Sequence, residues 1–149
     1  VFIAALARVA FTVICYWAVL IAFGVMSVEQ SWDVIPVTIF AAGAFAAIIM
    51  GITAKVKNDD YFMTVLGRLI IMPMFLFSGT FFPLNTMPIY LQPIGWISPL
   101  WHATELGRYF SYGYSISAQM LIIHFTFLLA LLIGGFALAN RTFTTRLTK

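Results

Sequence analysis

The chain has 149 residues, of which 62% are hydrophobic and 9% are charged. A soluble domain carries about 25% charged residues, so a chain this apolar could not cover its own surface in water. The composition excludes a water-soluble domain and predicts an all-α membrane protein. The net charge of +3 comes from basic residues scattered beside apolar segments. That pattern is typical of membrane topology and not of nucleic-acid binding.

Four apolar stretches reach the length of about 20 residues that a membrane-spanning helix needs. The second stretch has Pro36 in its first turn, where the missing N–H would have no helical partner. The sequence begins at Val1, which we interpret as an internal cut in a longer protein. The whole chain, residues 1–149, is predicted to be one membrane domain. The predicted spans are residues 9–28, 34–54, 61–82 and 118–139.

The segment between the third and fourth spans, residues 83–114, is apolar but contains a proline every few residues. Because proline lacks a backbone N–H and clashes with the preceding turn, no single helix can cross a bilayer here. Irregular backbone is tolerated at membrane depth only where protein or a cavity buries it. We therefore predict a re-entrant or interfacial hairpin of two short helices, about residues 88–97 and 99–110. A plain exposed loop is the alternative.

The basic residues predict an orientation, because cytoplasmic loops are enriched in Lys and Arg. With the N-terminus inside, the loop at residues 27–33 and the segment 83–114 both lie outside. Arg108 is then the one basic residue on the outer side, and both termini of the chain are cytoplasmic. Six of the eight basic residues fall on the inner side: Arg8, Lys55, Lys57, Arg141, Arg146 and Lys149.

Two spans carry features of packing or motion. In the second span, Gly43, Ala47 and Gly51 recur every four residues and predict a face on which another helix packs closely. In the third span, Pro73 frees a carbonyl and bends the helix, either as a hinge or as a static bend. Arg68, two turns into the third span, either extends to the inner headgroups or faces a cavity, where it would meet an anionic substrate.

The two histidines are the candidates for chemistry. For His124, in the last span, a hydrogen bond to a neighbouring helix is the simpler interpretation, and a functional role is the alternative. His102, Glu105 and Arg108 follow Pro99 at three-residue intervals and share one helical face. We predict that Glu105 and Arg108 pair. A metal site built on His102 and Glu105 would lack the usual four ligands.

The segment from the third span through the proline-rich region resembles the signature of ABC-2 type transporter permeases. It reads MPMFLFSGTFFP at residues 72–83, PLWH at residues 99–102 and ELGR at residues 105–108. The likeness is greatest to the bacterial branch with nodulation-factor, lipo-oligosaccharide and drug exporters, and Met87 stands where that family has leucine. The hairpin motif residues are Ser78, Gly79, Pro83, Pro88, Pro99, His102, Glu105 and Arg108.

This resemblance implies that the chain holds helices three to six of a six-helix permease, with the hairpin on the outer side of the bacterial cytoplasmic membrane. In that family two permeases, identical or related, form the pore. Two separate ATPase subunits bind ATP and Mg²⁺ and drive it. The chain itself would then bind no cofactor and not be an enzyme, in agreement with its lack of a phosphate-binding loop. The expected partners are a second permease, the ATPases and lipids, without nucleic acid.

The predicted function is the membrane subunit of an ATP-binding-cassette exporter that moves amphipathic, lipid-linked or drug-like substrates by alternating access. One alternative is an intramembrane lipid-modifying enzyme that uses His102 and Glu105. Another is a membrane assembly subunit that transports nothing. Aromatic walls suit apolar tails, although each aromatic side chain could instead face lipid or pack. The candidate pathway or gate residues are Arg68, Phe75, Phe77, Phe81 and Phe82.

Overall fold

A computed structural model describes residues 2–54, 56 and 60–147. Three of its helices are long and apolar enough to cross a membrane: α1 (Phe2–Ala22), α3 (Val34–Thr53) and α8 (Ala118–Leu147). The short α2 (Val28–Ser31) lies between α1 and α3. The predicted orientation also rests on Lys55, Lys57 and Lys149, which lie outside the described residues.

The ends of the long helices differ in part from the predicted spans. The first span was predicted at residues 9–28, but α1 ends at Ala22, because Gly24 adopts a left-handed conformation with φ of 69°. The second and fourth spans begin where they were predicted. However, α8 continues past residue 139 to Leu147, since no Gly or Pro follows to end it.

The third predicted span, residues 61–82, is shorter and less regular than expected. It consists of α4 (Asp60–Val65), a π-helical segment (Leu66–Ile71) and α5 (Met72–Leu76). The predicted helix was wrong at its C-terminal end, because the helix stops at Leu76 and residues 77–82 are not helical. The π-helical segment comes directly before Pro73, which has no N–H to donate to a preceding turn.

The helix α3 is the centre of the fold and packs against α1, α7 and α8. Its contact with α8 is made by backbone at very short range. A Cβ added to Gly135 would lie 2.4 Å from the carbonyl carbon of Ala47, and one added to Gly51 would lie 2.9 Å from the Gly135 oxygen. We call Ala47, Gly51 and Gly135 the α3–α8 seam. Gly43 faces α1 instead, 3.3 Å from a Leu6 methyl group.

The proline-rich segment forms a hairpin of two helices, α6 (Gln92–Ile97) and α7 (Pro99–Tyr112), after a 3-10 turn (Leu84–Thr86). Both helices begin with proline in the first turn, where no N–H is needed. Buried Leu106 of α7 packs with Ala44 of α3 and Leu128 of α8. Ala44 lies about 15 Å along α3 at 1.5 Å per residue. The hairpin therefore packs against α3 about half-way along that helix.

Candidate functional site

Arg108 on α7 connects the hairpin to the chain that follows α5. Its Nη1 donates to Oε1 of Glu105 at 3.0 Å, and its Nη2 donates to the backbone oxygen of Gly79. The Arg108 and Glu105 side chains are 24% and 13% exposed. In such a partly dry setting, charge-assisted hydrogen bonds are stronger than neutral ones. The predicted ion pair is present, and the bond to Gly79 had no signal in the sequence.

The serine–glycine pair after α5 shapes the backbone that Arg108 binds. Buried Ser78 donates from its hydroxyl to the Phe75 oxygen at 2.7 Å, and its Oγ lies 2.6 Å from the hydroxyl of Thr80. Gly79 has a φ of 78°, a conformation that favours glycine. A Cβ there would lie 3.2 Å from the indole of Trp101. Glycine therefore permits both the turn and the approach of α7.

His102 and His124 are brought together by the packing of α7 on α8. Their Nδ1 atoms are 2.7 Å apart, and Nε2 of His102 lies 2.9 Å from the backbone oxygen of Trp96. Both side chains are buried. Burial lowers the pKa of His102, and the bond to the Trp96 oxygen opposes part of that shift. The sequence predicted that His124 would bond to another helix, but it did not identify His102 as the partner.

The hydrogen bonds assign the ring protons of the pair. A carbonyl oxygen can only accept, so Nε2 of His102 carries a proton that it donates to Trp96. In a neutral ring Nδ1 of His102 is then unprotonated and accepts, so Nδ1 of His124 donates to it. Two nitrogens bound to one tetrahedral Zn²⁺ would lie about 3.3 Å apart. The spacing is therefore that of a hydrogen bond and not of a shared metal ion.

A cleft opens between the hairpin and the start of α8. One part, with a volume of about 340 Å³, is lined by Trp96, Trp101, Glu105, Tyr114 and His124, among others. The adjoining part, of about 430 Å³, shares several of these residues and adds Arg108 and Pro83. We call the two parts together the hairpin cleft. Its walls combine aromatic faces with charged and amide groups, so it can contact a ligand that is partly apolar and partly polar.

The described lining of the hairpin cleft includes none of the predicted pathway residues. The ring centroids of Phe75 and Phe81 are 5.1 Å apart in an edge-to-face contact. Phe82 is exposed, and Phe77 is half-buried. Arg68 is exposed in the π-helical segment, about 10 Å along the helix axis from Phe75 at 1.5 Å per residue. Four of the five predicted residues are thus exposed in the part of the chain that the structure describes, and Phe77 is partly covered.

The other hairpin prolines have separate places. Pro88 is exposed, and its carbonyl accepts a hydrogen bond from the N–H of Leu91 at 2.8 Å, in the turn before α6. Pro99 begins α7, directly after Ser98. The hydroxyl of Ser98 and the indole N–H of Trp101 are buried without a hydrogen-bond partner among the described residues.

Comparison with known proteins identifies the family. Residues 1–112 match the profile of a family described as ABC-2 type transporter. Nodulation protein J of Rhizobium leguminosarum bv. viciae is 36% identical over 74 residues, which are 50% of this chain and 28% of that protein. Nodulation protein J of Sinorhizobium fredii is 35% identical over 74 residues, again 50% of this chain and 28% of the relative.

A third relative, nodulation protein J of Rhizobium leguminosarum bv. trifolii, is 33% identical over 82 residues, which are 55% of this chain and 31% of that protein. The chain thus spans under a third of the length of these relatives. No solved structure gives a significant match. Because the family profile matches well over half of its residues, the chain belongs to the ABC-2 type transporter family.

Proposed function

We propose that this chain is part of the membrane subunit of an ATP-binding-cassette exporter in the bacterial cytoplasmic membrane. The observation that carries the proposal is the family match over residues 1–112, in a chain with three helices long enough to span a bilayer. The exporter moves amphipathic, lipid-linked or drug-like substrates by alternating access. ATP and Mg²⁺ bind to separate ATPase subunits, and a second permease, identical or related, completes the pore.

The hairpin is re-entrant from the outer side in this proposal, residues 61–82 cross the membrane as the third of four spans, and both termini of the chain are cytoplasmic. Two contacts support it. First, α7 packs along the first half of α3 and of α8, so it lies at membrane depth if they span. Second, α2 contacts α7, which agrees with the charge argument that places residues 27–33 and the hairpin on the same side.

This topology is tested by labelling single cysteines with an impermeant thiol reagent, in a Cys15→Ser background because Cys15 is exposed. Glu29→Cys and Asn85→Cys replace exposed side chains on the side proposed to be outer. Both should react in intact cells without permeabilisation. Labelling of either cysteine only after the membrane is opened would contradict the proposed orientation.

The substrate pathway runs past the exposed face of α5 and the turn after it. Phe75, Phe81 and Phe82 place large apolar surfaces there, and such surfaces suit an apolar tail without requiring specific hydrogen bonds. The hairpin cleft beside them supplies polar groups for a headgroup. Arg68 is exposed in the π-helical segment and is a cation for an anionic group.

The geometry favours a transporter over a lipid-modifying enzyme. A general acid or base must reach the reacting group with a free ring nitrogen or carboxyl oxygen. Both ring nitrogens of His102 are engaged, by His124 and by the Trp96 oxygen, and its side chain is 2% exposed. Glu105 is held by Arg108. The residues that such an enzyme would use are therefore already committed to structural partners.

The test is reconstitution of the full-length protein in lipid nanodiscs with its ATPase subunit. We expect the permease to bind the ATPase and to change its rate of ATP hydrolysis, with a further change when an amphipathic substrate is added. An ATPase variant lacking its phosphate-loop lysine should still bind but hydrolyse no ATP. Covalent change of lipids by the permease alone, detected by mass spectrometry, would favour the enzyme.

A further inference from the structure

The His102–His124 pair has one basic nitrogen that its own hydrogen bonds leave free. Two neutral rings carry two N–H groups, one donated from His102 to the Trp96 oxygen and one from His124 to His102. Nδ1 of His102 accepts the second bond. Nε2 of His124 remains, with its lone pair unshared and no hydrogen-bond partner among the described residues. His124 lines the hairpin cleft, so this free nitrogen belongs to a residue of the cleft wall.

We propose that the His102–His124 pair is a proton-binding site of the hairpin cleft, and that it takes one proton from the medium at Nε2 of His124. A hydronium ion supplies the proton, the lone pair of Nε2 forms the new N–H bond, and water is left behind. The ring of His124 then carries the positive charge. Its Nδ1–H still donates to His102, so α7 remains fastened to α8.

The capacity of the site is one proton. A second proton would have to bind Nδ1 of His102, whose lone pair already accepts the bond from His124. Two N–H groups would then point at each other across 2.7 Å, and two positive charges would be buried side by side, which costs far more than one. The second protonation therefore requires that the hydrogen bond between the helices break.

The charge of the hairpin cleft depends on the protonation of the His102–His124 pair, because the other charged groups of the cleft compensate each other. The other titratable or charged groups that line the hairpin cleft are Glu105 and Arg108 on α7 and Tyr114 in the connection to α8. Glu105 and Arg108 neutralise each other in their ion pair. The sequences of α3, α6 and residues 118–139 of α8 contain no other ionisable group. Proton uptake thus changes the hairpin cleft from neutral to positive.

Nitrogen NMR of the full-length protein with ¹⁵N-labelled histidine tests this directly, because protonated and bare ring nitrogens have well-separated shifts. The single variants His102→Asn and His124→Asn assign the signals. At neutral pH we expect His102 to be protonated at Nε2 and His124 at Nδ1, with a coupling across the bond between their Nδ1 atoms. Stepwise acidification from about pH 8, continued well below the pKa of a free imidazole because the ring is buried, should protonate Nε2 of His124 alone and preserve that coupling.

Two results would overturn the proposal. One is a neutral His124 with its proton on Nε2, since the free nitrogen would then not exist. The other is protonation of both rings together over the same pH range, which is the behaviour of two independent imidazoles. Both results are read from spectra of the unmodified protein, and the two variants are needed only to assign its signals.

Trp101 provides a second readout, because its ring lies 5.0 Å from that of His124 and 4.9 Å from that of His102. A protonated imidazole quenches the fluorescence of a neighbouring indole. We expect acidification to lower the emission of the wild type. His124→Asn, whose amide can replace the Nδ1–H donor but cannot take a proton, should lose that response, and so should Trp101→Phe. An unchanged response in His124→Asn would place the proton elsewhere.

Discussion

The α3–α8 seam and the contacts of the hairpin differ in what holds them together. At the seam the two backbones are in direct contact: a Cβ added to Gly135 would lie 2.4 Å from the carbonyl carbon of Ala47. The residues of the seam have no polar side chain. At the hairpin, directional bonds act beside apolar packing, with Arg108 on the Gly79 backbone and His102 on His124 of α8. The seam tolerates no added volume, whereas the hairpin depends on particular atoms.

This contrast indicates which part is able to move. A contact made by complementary shape has one arrangement, because interiors are close-packed and resist small displacements. A contact made by a few hydrogen bonds can be released and remade, at about 0.5–1.5 kcal/mol for each neutral bond and about 1.5–3 kcal/mol for each bond to a charged group. We therefore expect α3 and α8 to move as one body and the hairpin to be the element that shifts on them.

The largest expected effect is at the seam. Gly135→Ala would push a methyl group into the Ala47 and Ile48 backbone, at 2.4–2.5 Å. Overpacking costs about 1–3 kcal/mol and occasionally more, and backbone cannot rotate away, so we expect a loss at the upper end of that range. Thermal unfolding of the purified full-length protein in detergent measures it as a large fall in Tm or in folded yield.

The matched control is the neighbouring residue. A Cβ on Gly134 would meet nothing within 4 Å, and Ala is a better helix former than Gly by about 1 kcal/mol. Gly134→Ala should therefore leave Tm unchanged or raise it. If Gly135→Ala and Gly134→Ala unfolded at the same temperature, the close contact between α3 and α8 would be wrong.

A smaller effect is expected at the hairpin, and it should be unequal between the two partners of the ion pair. Arg108→Gln removes bonds to both Glu105 and Gly79, whereas Glu105→Gln leaves the bond to Gly79 in place. A partly buried charge left without its partner costs roughly 1–3 kcal/mol. We expect Arg108→Gln to lower transport and Tm more than Glu105→Gln does.

The double variant completes this cycle. If the two charges act through each other, Glu105→Gln combined with Arg108→Gln should be no worse than Arg108→Gln alone. Losses that simply add would show that the residues act independently. The measured quantities are Tm and the rate of substrate-stimulated ATP hydrolysis in the reconstituted complex. Rates that fall while Tm stays unchanged would indicate a role of the pair in motion, beyond stability.

The features that could be predicted from the sequence are local ones, and the features that were missed are contacts between distant residues. Helix starts at Val34, Pro99 and Ala118 depend on apolar length and on proline, which are local properties. The Glu105–Arg108 pair is also local, one helical turn apart. The partners of His102 and Arg108 were missed because they lie 22 and 29 residues away, and nothing in one sequence marks such distant contacts.

The third span shows a different kind of miss. The apolar run continues to Phe82 in the sequence, so length alone extended the predicted helix to that residue. The observed helix stops at Leu76, where the Ser78 hydroxyl bonds to the Phe75 oxygen and Gly79 turns the chain. Ser followed by Gly is a turn signal, and in this segment it outweighs hydropathy.

The smallest expected effect on stability is at Pro73, and it tests whether the π-helical segment is part of the moving element. The N–H of Met72 bonds to Gly67, five residues back, in place of the usual four. Such a wide turn lets the helix pass a residue with no N–H to donate. Pro73→Ala restores a donor, so the segment at Leu66–Ile71 can tighten into an ordinary α-helix.

Tightening would rotate the residues on either side of the segment relative to each other. The face of α4 would then no longer match that of α5, which carries Phe75 and leads to the turn that holds Arg108. We expect Pro73→Ala to leave expression and Tm nearly unchanged but to slow transport by up to about tenfold, the effect of ~1.4 kcal/mol in the barrier. The measurement is substrate efflux at matched protein level.

Met72→Ala is the control, since its exposed side chain can be shortened without adding a donor. Wild-type efflux by Pro73→Ala would mean that the proline only bends the helix, and the π-helical segment would then have no part in transport.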